Sequence, residues 1–262
     1  MIQTKSLRRC FGDLVAVSDL SLSVRTGEVF GLVGPNGAGK STVVKMLTTL
    51  LPPTAGAATV AGCDIVKDPA GVRRAIGYVP QLLSADGALT GYENLLVFAK
   101  LYELPRSTRK ARIDEALTFV DLQDAKDRLV RTYSGGMIRR LELALTLLHR
   151  PRVLFLDEPT VGLDPLARQS IWQQIRRLVQ QHRMAVLMTT HFMDEADSLC
   201  DRVGVMNRGQ LVVVGTPEEL KAASGNDATL DDAFAFYTGN RLETEGGYRE
   251  VARTRRNVAR LG

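Results

Sequence analysis

Gly34-Pro35-Asn36-Gly37-Ala38-Gly39-Lys40-Ser41-Thr42 follows directly on the apolar run Glu28-Val29-Phe30-Gly31-Leu32-Val33. The run has the composition of a buried strand, and the nine residues after it fit G-x-x-x-x-G-K-[ST], a loop whose backbone N–H groups surround phosphate oxygens. A helix is expected over about 40–50, turning its positive end toward the anion. Gly34, Gly37 and Gly39 let the backbone approach phosphate closely, with Pro35, Asn36, Ala38 and Thr42 in the same cradle. Lys40 would reach the β and γ phosphates, and the Ser41 hydroxyl suits magnesium. Strand, loop and helix together predict an α/β nucleotide-binding chain.

Working outward, residues 2–24 hold short alternating segments that predict an antiparallel flank turned at Phe11-Gly12-Asp13, a small β layer over the nucleotide's base. After Ile76-Gly77-Tyr78-Val79-Pro80-Gln81 the texture becomes helical to about residue 150. Thr90 and Glu93 form a capping box before Leu95, Leu96 and Ala99, and Ile113, Ala116, Leu117 and Val120 repeat the helical spacing. A helical subdomain over about 82–150 is therefore expected inside the α/β core. Beyond it come a strand over 153–157, a helix opened by Asp164-Pro165, and strands over 185–190 and near 202–206, which predict a mostly parallel sheet wrapped by helices. Thr216-Pro217-Glu218-Glu219 opens a short helix, and a last one from about 229 puts Leu230, Ala233, Phe234 and Tyr237 on one side.

The 262 residues are 45% hydrophobic and 24% charged, an ordinary globular composition. No window approaches the roughly 20 apolar residues needed to cross a bilayer, and Met1-Ile2-Gln3-Thr4-Lys5 does not open a signal peptide, so a soluble cytoplasmic chain is expected. Cys10, Cys63 and Cys200 are scattered and odd in number, which argues against a disulfide framework or a zinc site and predicts buried reduced thiols. Most of the net charge of +5 sits between 249 and 262, where five arginines meet one glutamate. The body is nearly neutral, so charge does not point to nucleic acid, and the tail over 241–262 is expected to be solvated and disordered.

Three further groups carry chemistry. In Val153-Leu154-Phe155-Leu156-Asp157-Glu158 an apolar strand delivers a carboxylate to the sheet edge where ligands bind in open α/β folds. Asp157 suits magnesium, through water. Glu158, pointing elsewhere in an extended segment, suits polarising an attacking water. Ser134-Gly135-Gly136-Met137 is a serine-capped, glycine-rich helix start, which suggests a second phosphate contact and a site that reads ATP from two sides. His149 and His182 read as structural, His149 near a helix end that favours a cation.

Taken in order, the phosphate loop, Gln81 in Tyr78-Val79-Pro80-Gln81, Ser134-Gly135-Gly136-Met137, Asp157-Glu158-Pro159-Thr160, Gly162-Leu163-Asp164 and Thr189-Thr190-His191 resemble the ATP-binding cassette family over about residues 2–220. The resemblance implies a P-loop NTPase core with an N-terminal antiparallel β subdomain and an inserted helical subdomain, all within 1–240. It implies that Gln81 contacts magnesium and the attacking water while linking to a membrane partner, that His191 contacts the γ-phosphate, and that Asp164 reaches across a dimer interface. Phe11 stands where the family stacks an aromatic ring on adenine, and Tyr133 where leucine usually precedes the signature serine. Two copies would pair head to tail, each ATP held between one copy's loop and the other's Ser134-Gly135-Gly136.

The family's transporter branch further implies a separate transmembrane permease, with this chain at the cytoplasmic face of the membrane. Met137-Ile138-Arg139-Arg140-Leu141-Glu142, Glu158-Pro159-Thr160-Val161-Gly162-Leu163-Asp164-Pro165 and Thr229-Leu230-Asp231-Asp232-Ala233-Phe234 resemble the bacterial drug-export branch, similar to daunorubicin-resistance exporters. A soluble cassette ATPase acting on nucleic acid or ribosomes is the alternative. Against it, the chain carries one cassette and no sustained heptads. A nucleotide sensor without turnover would need a damaged site, and none of the catalytic positions is damaged. The expectation is an ATPase using ATP and magnesium, with no nucleic-acid partner.

Overall fold

The computed structural model describes residues 1–225 and 227–239. The predicted basic tail over 241–262 lies outside them. Ile2–Phe11 (β1) and Leu14–Leu20 (β2) pair antiparallel around Gly12-Asp13 and turn Ile2, Leu7, Val17 and Leu20 into the interior. Ser23–Val24 (β3) also pairs with β1, and the chain then enters Val29–Val33 (β4), buried along its whole length. The following helix, Lys40–Leu47 (α1), is shorter than the expected 40–50. Thr49 adopts a left-handed backbone, and Pro52-Pro53 beyond it could not continue the helix.

The antiparallel layer extends past the predicted flank. Ala55–Val60 (β5) pairs with β1 and Cys63–Asp64 (β6) with β5, giving the order β2-β1-β5-β6. Small residues dominate β5, so its membership comes from the β1 partner and not from its own pattern. Cys10 and Cys63, on this outer layer, are half-buried; of the three thiols expected inside, only Cys200 is.

Pro69–Ala75 (α2) leads into Ile76–Val79 (β7), and three helices follow, Gly91–Leu101 (α3), Arg106–Phe119 (α4) and Gly135–Leu147 (α5). The Thr90/Glu93 capping box opens α3, and Ser134 caps α5 by accepting the Met137 N–H. Such caps are worth about 1 kcal/mol each. Val153–Asp157 (β8), Pro165–His182 (α6), Ala185–Thr190 (β9), Met193–Leu199 (α7) and Arg202–Asn207 (β10) complete the α/β alternation. Gln210–Gly215 (β11), absent from the sequence reading, returns antiparallel to β10 through the two-residue turn Arg208-Gly209, both at positive φ as a tight hairpin requires. Pro217–Ser224 (α8) and Leu230–Thr238 (α9) open with their own capping boxes and pack on each other.

The main sheet runs β11-β10-β4-β9-β8-β7, parallel except for β11. Alternate residues of β4 enter two cores: Phe30 and Leu32 meet the antiparallel layer and α1, while Val29 and Val33 meet the helical side. His149 departs from the expected helix-end cation. Its ring stacks on Tyr102 with centroids 4.0 Å apart, and Nε2 lies 2.8 Å from the Ile76 carbonyl oxygen. Nδ1 is buried without a partner, so a second N–H there would be unsatisfied, and burial pulls the pKa down toward the neutral ring.

Candidate nucleotide site

Register places the site. Val33 at the end of β4 stands beside Thr190 at the end of β9, and Asp157 at the end of β8 stands beside Thr189. Three parallel strands therefore release their chains at one edge, and Gly34, Glu158 and His191 follow from adjacent strands. Glu158 and His191 border a cleft of about 830 Å³ together with Phe11, Asn36, Gly37, Gly39, Lys40, Ser41, Thr42 and Gln81, whereas Gly34, Pro35 and Ala38 of the expected cradle do not line it. Phe11 is 46% exposed there, with the Arg9 guanidinium 4.6 Å from its ring centroid.

The loop is built as its glycines predict. Gly39 caps α1 at φ 101°, and a Cβ on it would collide with the Ala16 carbonyl of β2. Pro35 and Ala38 shape the bend through the Ala38 N–H donating to the Pro35 oxygen at 3.2 Å. The Lys40 ammonium is buried, donates to the Gly34 and Pro35 oxygens at 2.7 and 3.1 Å, and lies 3.7 Å from Oε1 of Glu158. Burial lowers its pKa, opposed by the charges of Glu158 and Asp157.

The two acids take separate partners. Asp157 Oδ1 accepts from Ser41 Oγ at 3.0 Å and from Thr189 Oγ1 at 2.6 Å. Gln81 Nε2 donates to Glu158 Oε2 at 3.3 Å, and His191 Nδ1 lies 3.2 Å from Oε1. The divergence does not come from the extended backbone expected at this point. Glu158 has φ 51°, a left-handed conformation costing about 1–2 kcal/mol for a side-chain-bearing residue. Its own N–H donates to the Thr189 oxygen, so the chain leaves β8 while still tied to β9.

Thr189 was not assigned a role in the sequence reading, although it lies in a quoted motif; its hydroxyl's aim at Asp157 depends on the β8–β9 register. Arg208 and Gly209 also line the cleft and were not anticipated. Ser134, Gly135, Gly136 and Asp164 do not line it. Asp164 caps α6, its Oδ1 accepting the Ala167 N–H at 2.9 Å. Gly136 packs so closely on α6 that an added Cβ would sit 3.0 Å from that of Ala167.

For magnesium, the donor set fits a shared site. Ser41 Oγ and Asp157 Oδ1 are hard oxygen donors in hydrogen-bond contact beside the loop. No cluster of three or more His, Cys, Asp or Glu side chains suited to a metal occurs among the described residues. One or two protein ligands, completed by phosphate and water, is how magnesium is ordinarily held.

Residues 17–161 match the family model of the ABC transporter. The chain belongs to the ABC transporter family. The matched stretch includes the phosphate loop, Gln81, the Ser134 turn and both acids, and it ends before Asp164 and His191. Among ABC family members the chain is similar to the doxorubicin resistance ATP-binding protein DrrA of Mycobacterium tuberculosis (strain ATCC 25618 / H37Rv), 46% identical over 215 residues. That alignment covers 82% of this chain and 65% of the relative, so the chain spans just under two thirds of that protein. It is 44% identical over 244 residues to the daunorubicin/doxorubicin resistance ATP-binding protein DrrA of Streptomyces peucetius, covering 92% of this chain and 74% of that one. The solved ATP-binding subunit of an ABC transporter superposes with a TM-score of 0.80 at 26% identity, covering 91% of this chain and 99% of that one.

Proposed function

We propose that this chain is the ATP-binding and ATP-hydrolysing subunit of an ABC exporter whose membrane-crossing part is a separate permease. The carrying observation is the Glu158 carboxylate, which faces Lys40, Gln81 and His191 in a cleft bordered by the phosphate loop. In this reading the loop N–H groups and the N-terminus of α1 hold the phosphates, Lys40 offsets their charge, and the Phe11 ring stacks on adenine. Magnesium, bound at Ser41 and Asp157, would polarise the terminal phosphate oxygens. Gln81 and His191 orient the Glu158 carboxylate, and Glu158 takes the proton of the attacking water.

Ser134 and Gly135 are exposed at the start of α5 and outside their own cleft, which supports a second copy as the owner of the ATP they meet. Two copies would then close head to tail on ATP, with Asp164 at the shared face, and loss of the γ-phosphate would release them. No helix among the described residues is long and apolar enough to cross a membrane, and Leu82, Leu83 and Leu101 are exposed beside the Gln81 loop and on α3. These features favour docking to a polytopic partner at the cytoplasmic face. The names of the relatives favour a drug such as doxorubicin or daunorubicin as cargo. No observation favours the alternative of nucleic acid or ribosomes as target.

Glu158→Gln tests the assignment: ATP binding should persist, an ATP-dependent dimer should accumulate on size exclusion, and turnover should fall by about 10²–10⁴. Wild-type turnover would remove Glu158 from this role, and recovery of ribosomes instead of a membrane protein in affinity purification from cell membranes would overturn the transporter reading.

A further inference from the structure

Arg139 and Glu142 stand three residues apart on α5, a spacing at which opposite charges ordinarily form a solvated surface pair. Here the two side chains are 5% and 1% exposed and 2.8 Å apart. Three further donors of the Arg139 guanidinium go to backbone carbonyls: Pro80 at 2.8 Å, Pro159 at 2.7 Å and Glu158 at 3.1 Å. Glu142 Oε1 in turn accepts the N–H and the hydroxyl of Ser84. One buried ion pair thus joins the helix begun by the Ser134 turn, the loop carrying Gln81, and the strand end carrying Glu158.

Burying two charges seldom stabilises a fold more than apolar packing of the same volume. What the arrangement supplies is geometry, because a planar guanidinium fixes several acceptors at set angles where an ammonium cannot. Glu142 holds that plane from the same helix. Five residues separate Ser134 from Arg139, about 7 Å along a rigid helix. A tilt of α5 imposed at the Ser134 turn therefore reaches the carbonyls of Pro80 and Glu158 directly.

We infer that Arg139, oriented by Glu142, is a positioning residue for hydrolysis. It sets the placement of Gln81 relative to Glu158 and makes that placement follow the orientation of α5. A phosphate met by the Ser134 turn of one copy would by this route tune the water-activating groups in the same copy's own cleft. The inference rests on the assignment of Glu158 and Gln81 proposed above.

The test uses the full chain in three forms: wild type, Arg139→Lys, and Arg139→Met combined with Glu142→Leu. The double variant leaves no unpaired buried charge, so a loss of stability from one orphaned ion does not enter. Both variants should bind a fluorescent ATP analogue within about threefold of wild type while kcat falls about 10²-fold, the loss expected for misplacing reacting groups by an ångström. Amide exchange should rise together in residues 81–84 and at Glu158 and Thr160. Wild-type kcat in the double variant, equal losses of affinity and kcat, or exchange that rises in neither segment would overturn the inference. If Arg139→Lys alone folds, its kcat and exchange decide the matter. Glu158→Gln turning over at the wild-type rate would instead sink the assignment of Glu158, and the exchange result would still report on Arg139.

Discussion

Nδ1 of His191 lies 3.2 Å from Oε1 of Glu158, the oxygen that Lys40 Nζ faces at 3.7 Å on another side. One nitrogen at the start of α1 and one just beyond β9 therefore flank one carboxylate oxygen. Removing the imidazole leaves Glu158 with Lys40 and Gln81, which border the phosphate loop and do not replace the contact from β9. His191→Ala should lower kcat by about 10²-fold, the small end of the range for a group taking part in general base catalysis. Affinity for ATP should change much less, since the loop itself is untouched. Steady-state hydrolysis with a parallel binding titration checks this, and an unchanged kcat would return His191 to a structural role.

Tyr133 turns inward, away from the approach to Ser134. Its hydroxyl donates to the Ala125 oxygen at 2.7 Å, and burial pushes the phenol pKa up, so it stays a donor. Gly91 lies against it so closely that a Cβ there would strike the hydroxyl. Tyr133→Phe keeps the ring and removes this hydrogen bond while the Ala125 oxygen still accepts the Arg128 N–H at 3.0 Å, a cost of about 0.5–1.5 kcal/mol. For a domain of this size each kcal/mol corresponds to a fall in Tm of about 2–4 °C, measurable by thermal unfolding. The binding of ATP to the chain's own loop should be unaffected.

His149 makes the fold sensitive to acid. Its pKa in the folded chain is depressed, chiefly by burial, below the ordinary histidine value of 6.5, so the unfolded chain takes up a proton first as pH falls. The stability it contributes is complete above that ordinary value and is lost as pH drops from there through the depressed folded value. Thermal unfolding followed from pH 8 to pH 5 should show a smaller acid loss for His149→Gln than for the native chain. Parallel curves for the two would show that the ring does not titrate in this way.

Local chemistry made much of the fold legible. The phosphate loop, the Thr90 and Thr216 caps, the start of the last helix near 229 and the apolar run before Asp157 each declare themselves within a few residues, and each appears where the sequence puts it. The misses have one character. β5 has little pattern of its own and becomes a strand by pairing with β1, some fifty residues away. β11 exists because a two-residue turn folds it back on β10. Arg139 and Glu142, which appear in the sequence only as part of a stretch resembling the drug-export branch, become a buried pair because the Gln81 loop and the Glu158 strand end close over them.

By itself the sequence determined that this chain has a strand, a glycine loop and a helix suited to phosphate, with acids delivered to the same edge. Those are matters of backbone freedom, capping and hydrophobic period, which act over one turn or one strand. Only the tertiary structure decided that Gln81, Glu158 and His191 share one carboxylate, that Thr189 joins Ser41 on Asp157, and that Glu158 leaves its strand in a left-handed conformation. The reason is the order β4-β9-β8-β7: strands far apart in the chain end side by side, and hydrogen bonds of about 3 Å depend on that register.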